Sequence, residues 1–236
     1  MSMIGATAMV LAAGVGARMR PLTDTRPKSL VEVKGKPLIE FGFERLRAAG
    51  VKKAVVNVHY LAEQIEAWVK RQTAPIIEIS SERGELLDTG GGVANALPLL
   101  GPAPFFVLNS DSFWTEGAEP ALQRLRNAWN GEVMDCLLLL CPLNRTLGYH
   151  GKGDFLLSNE GRVSRPGTRA DALVFIGAYL VHPRLFAGSP SGRFSMNLLW
   201  DRAIGRSRLF GVSHTGEWIH VGTPDAISDA EKALAE

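Results

Sequence analysis

Apolar runs alternate with amphipathic stretches along the first two-thirds of this chain, and the alternation predicts strand–helix repeats. Residues 7–13 are expected as the first strand, with the apolar run Met9-Val10-Leu11-Ala12-Ala13 of the kind buried on both faces of a parallel sheet. In 38–49, Leu38, Phe41, Arg45, Leu46 and Ala49 recur at helical spacing, and Gly50 stops the helix. Residues 53–58 are β-branched and apolar, a second strand. Residues 61–70 carry Leu61, Ile65, Trp68 and Val69 on one side, a second helix. Further strands are expected at 76–80, 105–108 and 134–141, with a short helix at 92–100 broken by Pro98 and another at 120–129. This βαβα order implies a mostly parallel sheet with helices on both faces.

From Pro142 the texture changes, with Gly148, Gly151, Gly153, Gly161 and Gly167 punctuating short segments. Strands are expected at 156–157 and 173–180, a helix at 195–204, a closing pair of strands at 209–212 and 218–221, and a terminal helix at 224–235. No repeat, low-complexity tract or linker divides the chain. The expectation is one α/β domain over 1–236, its second half a sub-domain on the same sheet and sharing its cleft.

Composition narrows the function classes. With 236 residues, 46% hydrophobic and 21% charged, the chain can bury a sizeable core. A net charge of +2, with Lys and Arg spread along the sequence, gives no electrostatic case for nucleic acid. Cys136 and Cys141, five apart on a predicted strand, face opposite ways and match no zinc spacing. They read as buried small hydrophobes in a reducing compartment. The apolar N-terminus lacks a cationic leader, and no run of about twenty apolar residues exists to span a membrane. A cytoplasmic protein is expected.

The stretch 9–30 holds the first candidate chemistry. A buried strand breaks into Gly14 and Gly16, and Arg18 and Lys28 follow, bracketing Pro21 and Pro27. Exposed backbone N–H groups rimmed by cations bind anions, most often phosphates; an ordinary surface turn is the competing reading. A dinucleotide fingerprint fails, because Met19 stands where the third glycine belongs, and no Gly-Lys-Ser/Thr of a P-loop occurs. Asp111 follows the strand at 105–108, at the carboxyl end where open sheets bind ligands. It suits either Mg²⁺ or a helix N-cap. In 85–92 three glycines would let a base or phosphate approach the backbone, or simply make a flexible turn. The glycine-rich run 148–155 suits a sugar phosphate or a hairpin crossing. Residues 175–177 and 218–223 look like strand-end elements of the cleft, and a lone His220 is more often structural than a ligand. No G-x-S-x-G elbow or H-E-x-x-H helix occurs.

Taken together, Leu11-Ala12-Ala13-Gly14-x-Gly16-x-Arg18-Met19-x-Pro21-Leu22-Thr23, Pro27-Lys28-x-Leu30, Thr89-Gly90-Gly91-Gly92 and Asn109-Ser110-Asp111 closely resemble the signature of the sugar-1-phosphate nucleotidyltransferases. The resemblance runs from the first strand to the last helix. Its nearest subgroup is the one that uridylylates N-acetylmuramate 1-phosphate in peptidoglycan recycling, through Leu87–Gly92, residues 96–100, 150–155 and 175–186; short mannose-1-phosphate guanylyltransferase-like proteins look much the same.

The resemblance implies a GT-A-like, Rossmann-type fold, with about 1–142 as nucleotide-binding core and about 143–236 as the sugar-phosphate part. It implies a reaction of UTP, or another NTP, with a sugar 1-phosphate to give a nucleotide sugar and pyrophosphate. Guanylyl transfer to mannose 1-phosphate and uridylyl or thymidylyl transfer to glucose 1-phosphate are the alternatives. A regulatory subunit that binds a nucleotide sugar without turnover is the non-enzyme alternative. Arg18, Lys28 and Asp111 would be catalytic. Ala12, Ala13, Gly14, Gly16, Arg18, Lys28, Glu85, Thr89, Gly90 and Asn109 would bind nucleotide. Gly153, Asp154, Phe175 and Gly177 would line the sugar pocket, and Asp111 and His220 would hold Mg²⁺, with Mn²⁺ the other candidate. The implied partners are small molecules, and the chain a monomer or small homo-oligomer. Three departures stand out. Ser110 replaces the usual glycine before the aspartate. The E-K-P segment is missing, leaving Lys152 or Arg165 to substitute for its lysine. His220 stands where the family has a second metal-binding Asp.

Overall fold

A computed structural model describes residues 4–234. The main sheet contains β1 (Thr7–Leu11), β2 (Lys53–Val58), β3 (Ile76–Ser81), β4 (Phe105–Asn109), β6 (Cys136–Cys141), β8 (Val174–Val181) and β9 (Leu209–Ser213). Three short strands form a second sheet: β5 (Ser112–Trp114), β7 (Thr146–Leu147) and β10 (Trp218–His220). The helices are α1 (Leu38–Ala48), α2 (Ala62–Val69), α3 (Asp88–Leu100), α4 (Ala121–Ala128), α5 (Met196–Gly205) and α6 (Asp225–Ala233). The predicted extension of the last helix to Ala235 falls outside the described residues.

The seven strands run in the order β9-β6-β8-β4-β1-β2-β3. Both neighbours of β8 are antiparallel to it, and every other adjacent pair is parallel. Alternation along each strand feeds two apolar layers. Ala8 and Val10 of β1 pack with α1 and α2 residues such as Phe43 and Ile65, while Met9 packs with Val93 of α3 and Leu199 of α5. The same alternation separates the two cysteines, Cys136 entering one layer and Cys141 the other, both as free buried thiols. A third apolar cluster joins Met19, Phe41, Phe113, Ile219 and Ala230, with Phe41 and Phe113 stacked at 4.1 Å. It fastens the loop after β1 and helix α6 to the small sheet.

Two expectations are corrected. The strands expected to close as a pair do not pair with each other. β9 lies parallel to β6 at the edge of the main sheet, and β10 joins β5 and β7. Strands of two or three residues carry too little periodicity to be seen in the sequence. Helix α3 begins at Asp88, not Gly92, and continues through Pro98. Each glycine costs about 1 kcal/mol against alanine in a helix, so 88–92 reads as a loop. The deficit is met from elsewhere in the chain: the Phe194 carbonyl accepts from both Gly90 N and Gly91 N at 3.0 Å, capping the first turn. Among the described residues no helix is long and apolar enough to cross a membrane.

Candidate active site

The loop from Ala12 to Leu30 leaves β1 at its carboxyl end and folds into three short 3-10 turns, Ala17–Met19, Leu22–Asp24 and Lys28–Leu30. Its shape is held from below. Met19 is fully buried, Thr23 Oγ1 donates to Gly16 O at 2.8 Å, and Tyr60 Oη donates to Thr23 O at 2.9 Å. Across the gap, Ser110 Oγ donates to Leu11 O at 2.7 Å, so the departure from glycine at 110 ties β4's end to β1's.

Two cavities meet beside this loop. The first, about 320 Å³, is lined by Ala12, Ala13, Gly14, Lys28, Thr89, Asn109 and Asp111 among others. The second, about 620 Å³, is lined by Arg18, Phe175, Gly177, Tyr149, Trp218 and His220, and again by Asn109 and Asp111. Asp111 is thus on the wall between them, where its Oδ2 accepts from Lys28 Nζ at 2.8 Å. The lysine side chain keeps only 12% of its exposure, so water screens this pair less than it would a surface one. Burial works to raise the Asp111 pKa, but Lys28, with His220 and Arg18 behind it, holds the carboxyl below its ordinary value. It is ionised at neutral pH and ready to face a cation.

His220 lies over Trp218, ring centroids 5.3 Å apart. Burial lowers its pKa; Asp111 opposes this, and Lys28 and Arg18 add to it. The ring is therefore neutral at pH 7, the form that ligates metals, and its buried Nδ1 has no hydrogen-bond partner among the described residues. Among those residues no cluster of three or more His, Cys, Asp or Glu forms a metal cage. The available donors are one carboxylate and one imidazole. That set fits a divalent cation whose remaining positions are filled by substrate phosphates and water, the usual arrangement for Mg²⁺.

Of the residues expected near nucleotide, Gly16, Arg18, Glu85 and Gly90 do not line the first cavity, and Arg18 borders the second instead. Gly90 directs its N–H to Phe194, and Thr89 Oγ1 accepts from Met196 N at 3.0 Å. The glycine triplet therefore seats the segment 192–196 against α3. Of the residues expected near sugar, Phe175 and Gly177 line the second cavity, and Gly153 and Asp154 do not. Asp154 lies behind it, accepting from Phe175 N at 2.9 Å. Gly177 occupies a break in register between β8 and β6 with φ +81°, and a Cβ there would stand 2.9 Å from Asn109 Cβ. The bulge brings β8 against Asn109, which with Asp111 lines both cavities. Neither substitute for the missing lysine reaches this cavity. Arg165 donates to Asp201 Oδ1 and Asn197 Oδ1, each at 2.7 Å, over the Phe155 ring, and Lys152 is exposed.

Asn57, Glu82, Ser29 and Arg193 also line the first cavity, and none is a defining residue of a sequence motif. Asn57 carried a signal, as the one polar side chain in the buried part of β2, Ala54–Val58. Glu82 directly follows β3, and nothing local separates it from Glu85.

A family model described as Nucleotidyl transferase matches residues 7–149. The chain is 46% identical over 241 residues to the N-acetylmuramate alpha-1-phosphate uridylyltransferase of Caulobacter vibrioides, covering 100% of both chains. It is 36% identical over 231 residues to the protein of the same name from Neisseria meningitidis serogroup B, covering 97% of both. Among solved structures, UDP-glucose pyrophosphorylase complexed with UDP-glucose matches with a TM-score of 0.81 at 17% identity over 99% of both chains, a likeness of fold.

Proposed function

We propose, on the premise that the chain belongs to the nucleotidyl transferase family, that it transfers the uridylyl group of UTP to N-acetylmuramate 1-phosphate, giving the UDP-sugar and pyrophosphate. The single observation that carries the reading is the Lys28–Asp111 pair, whose aspartate lies on the wall common to two cavities. A two-substrate transfer needs its charged groups at such a junction. The first cavity, with the backbone of Ala12–Gly14 at one end, suits the nucleotide. The wider one, with Tyr149, Phe175 and Trp218 for the sugar faces and Arg18 at its edge, suits the sugar phosphate.

A phosphate oxygen of the sugar phosphate bonds to the α-phosphorus of UTP. The bond from that phosphorus to the oxygen bridging to the β-phosphate breaks, and pyrophosphate leaves with the electron pair. No covalent enzyme intermediate is needed, so the protein's work is alignment and charge neutralisation. Lys28 is the ammonium nearest the junction, and Arg18 adds a second positive charge for the phosphates. Asp111 and His220 would hold Mg²⁺ or Mn²⁺. A divalent cation, when bound, offsets the repulsion between the two phosphate groups. The remaining parts of the reading are a cytoplasmic setting that supplies UTP, a place in peptidoglycan recycling, and a monomer or small homo-oligomer without nucleic-acid or membrane partners.

Pyrophosphate release from a panel of UTP, GTP, dTTP, CTP and ATP against the 1-phosphates of N-acetylmuramate, N-acetylglucosamine, glucose and mannose tests the reading. UTP with N-acetylmuramate 1-phosphate is expected to give the highest kcat/KM. A preference for GTP with mannose 1-phosphate would overturn the substrate assignment, and tight binding without turnover would overturn the activity. The metal assignment has its own test. Imidazole favours softer cations than carboxylate does, so Mn²⁺ is expected to support turnover at least as well as Mg²⁺, and His220→Asp to shift the preference towards Mg²⁺. An unchanged ratio of rates with the two metals in that variant rules out a metal role for His220.

A further inference from the structure

Beneath the first cavity a buried polar chain crosses the apolar sheet. Ala12 N, in the residue that follows β1, donates to Asn57 Oδ1 at 2.7 Å. Asn57 Nδ2 donates to Glu82 Oε1 at 2.6 Å, and Leu87 N, just before α3, donates to Glu82 Oε2 at 3.0 Å. Asn57 is 2% exposed and Glu82 3%, so the first two bonds are buried and the third, at half-buried Leu87, is partly so. Gly92 leaves room for them: a Cβ there would stand 2.7 Å from Glu82 Oε1 and 2.9 Å from Asn57 Nδ2. The chain links Ala12 to Leu87, and Ala12 lines the cavity as do Leu86, Asp88 and Thr89 on either side of Leu87.

We propose that Asn57 and Glu82 are positioning residues, a strut that sets the distance between the two walls of the nucleotide cavity and so governs nucleotide binding selectively. The proposal rests on the nucleotidyl-transfer reading for the identity of the ligand. Its polarity is fixed at both ends. Ala12 N–H and Leu87 N–H are both donors, so the two side chains between them must present an acceptor to each and still bond to one another. One amide and one carboxylate satisfy this. The amide is at 57 and the carboxylate at 82, but the reverse order satisfies it equally. With both side chains exchanged, an aspartate replacing Asn57 would accept from Ala12 N and from the amide of a glutamine replacing Glu82. The oxygen of that glutamine would accept from Leu87 N. Either single change fails. Asn57→Asp sets two carboxylates against each other, and Glu82→Gln sets two amide donors against each other. A buried polar group left without a partner is costly.

The test compares the full-length wild type with N57D, E82Q and the double variant. The KM for each substrate is read from pyrophosphate release, the UTP dissociation constant from calorimetry, and folding from thermal melting. Each single variant is expected to raise the KM and dissociation constant for UTP about tenfold or more, with the KM for sugar phosphate nearly unchanged. The double variant is expected to recover most of the loss. Equal shifts in both KM values, UTP affinity unchanged in the single variants, or a double variant no better than the worse single would overturn the strut. If a single variant does not fold, G92A takes its place. Its methyl displaces the Glu82 carboxylate, and an unaltered UTP affinity there also overturns the proposal. Wild type that binds UTP but releases no pyrophosphate with any sugar phosphate would defeat the proposed reaction, while the dissociation constants would still decide the strut.

Discussion

Replacing Asp111 with asparagine is expected to lower kcat by about a thousandfold or more while leaving the fold intact. The side chains are nearly isosteric, and an amide oxygen at 111 still accepts from Lys28 Nζ, so the 2.8 Å contact has a successor. What disappears is the negative charge. Among the described residues Asp111 is the one carboxylate that lines both cavities, and Lys28, Arg18 and His220 all act on it. Without it, the junction has no anionic ligand for a divalent cation, and Lys28 is left as an unbalanced charge. Loss of one preorganised charge contact at a reacting phosphate costs about a hundredfold or more, and here two are disturbed together. Circular dichroism and the melting temperature should match wild type. A kcat within a few-fold of wild type would refute the role of Asp111.

Arg18→Ala is expected to cost about a hundredfold in kcat, with a smaller change in KM. Arg18 is exposed in the middle of the first 3-10 turn and borders the wider cavity. An exposed guanidinium contributes little to folding, so its removal should not change stability. Its field nevertheless reaches both Asp111 and His220, which puts it within range of the charge that develops as pyrophosphate departs. A change confined to the KM of the sugar phosphate would make Arg18 a binding residue for that substrate instead. A near-normal kcat would remove it from the chemistry.

What the sequence reveals and what it hides follow from how far each interaction reaches. The strands that end at Leu11 and Asn109 are legible as buried apolar runs, and the loop after β1 and Asp111 after β4 follow from the end of the sheet at which ligands bind. The start of α3 is hidden because its cap is the carbonyl of Phe194, about a hundred residues later in the chain. Gly177 is legible as a glycine, but its positive φ and its approach to Asn109 exist only once β8 lies antiparallel beside β4. Asn57 is legible only as a polar residue in an apolar strand, and the roles of Asn57 and Glu82 are hidden because they are defined by each other and by two backbone N–H groups on other elements. Their separation of 25 residues carries no local pattern.

The position of β8 between β4 and β6 has a consequence for how the polypeptide is made. Strand β6 hydrogen-bonds only to β8 and β9, both later in the chain, and β4 has its second neighbour in β8. A nascent chain that has emerged only to residue 142 therefore carries two apolar strands with unsatisfied edges, a template for aggregation. The sheet cannot close until Val181 has left the ribosome. A cut near 142 divides both cavities, since Arg193 lines the first and Arg18, Asn109 and Asp111 line the second, and it does not yield two pieces that fold alone. Chimaeras that exchange the sugar-side half between relatives would have to carry β8 and its partners as one block.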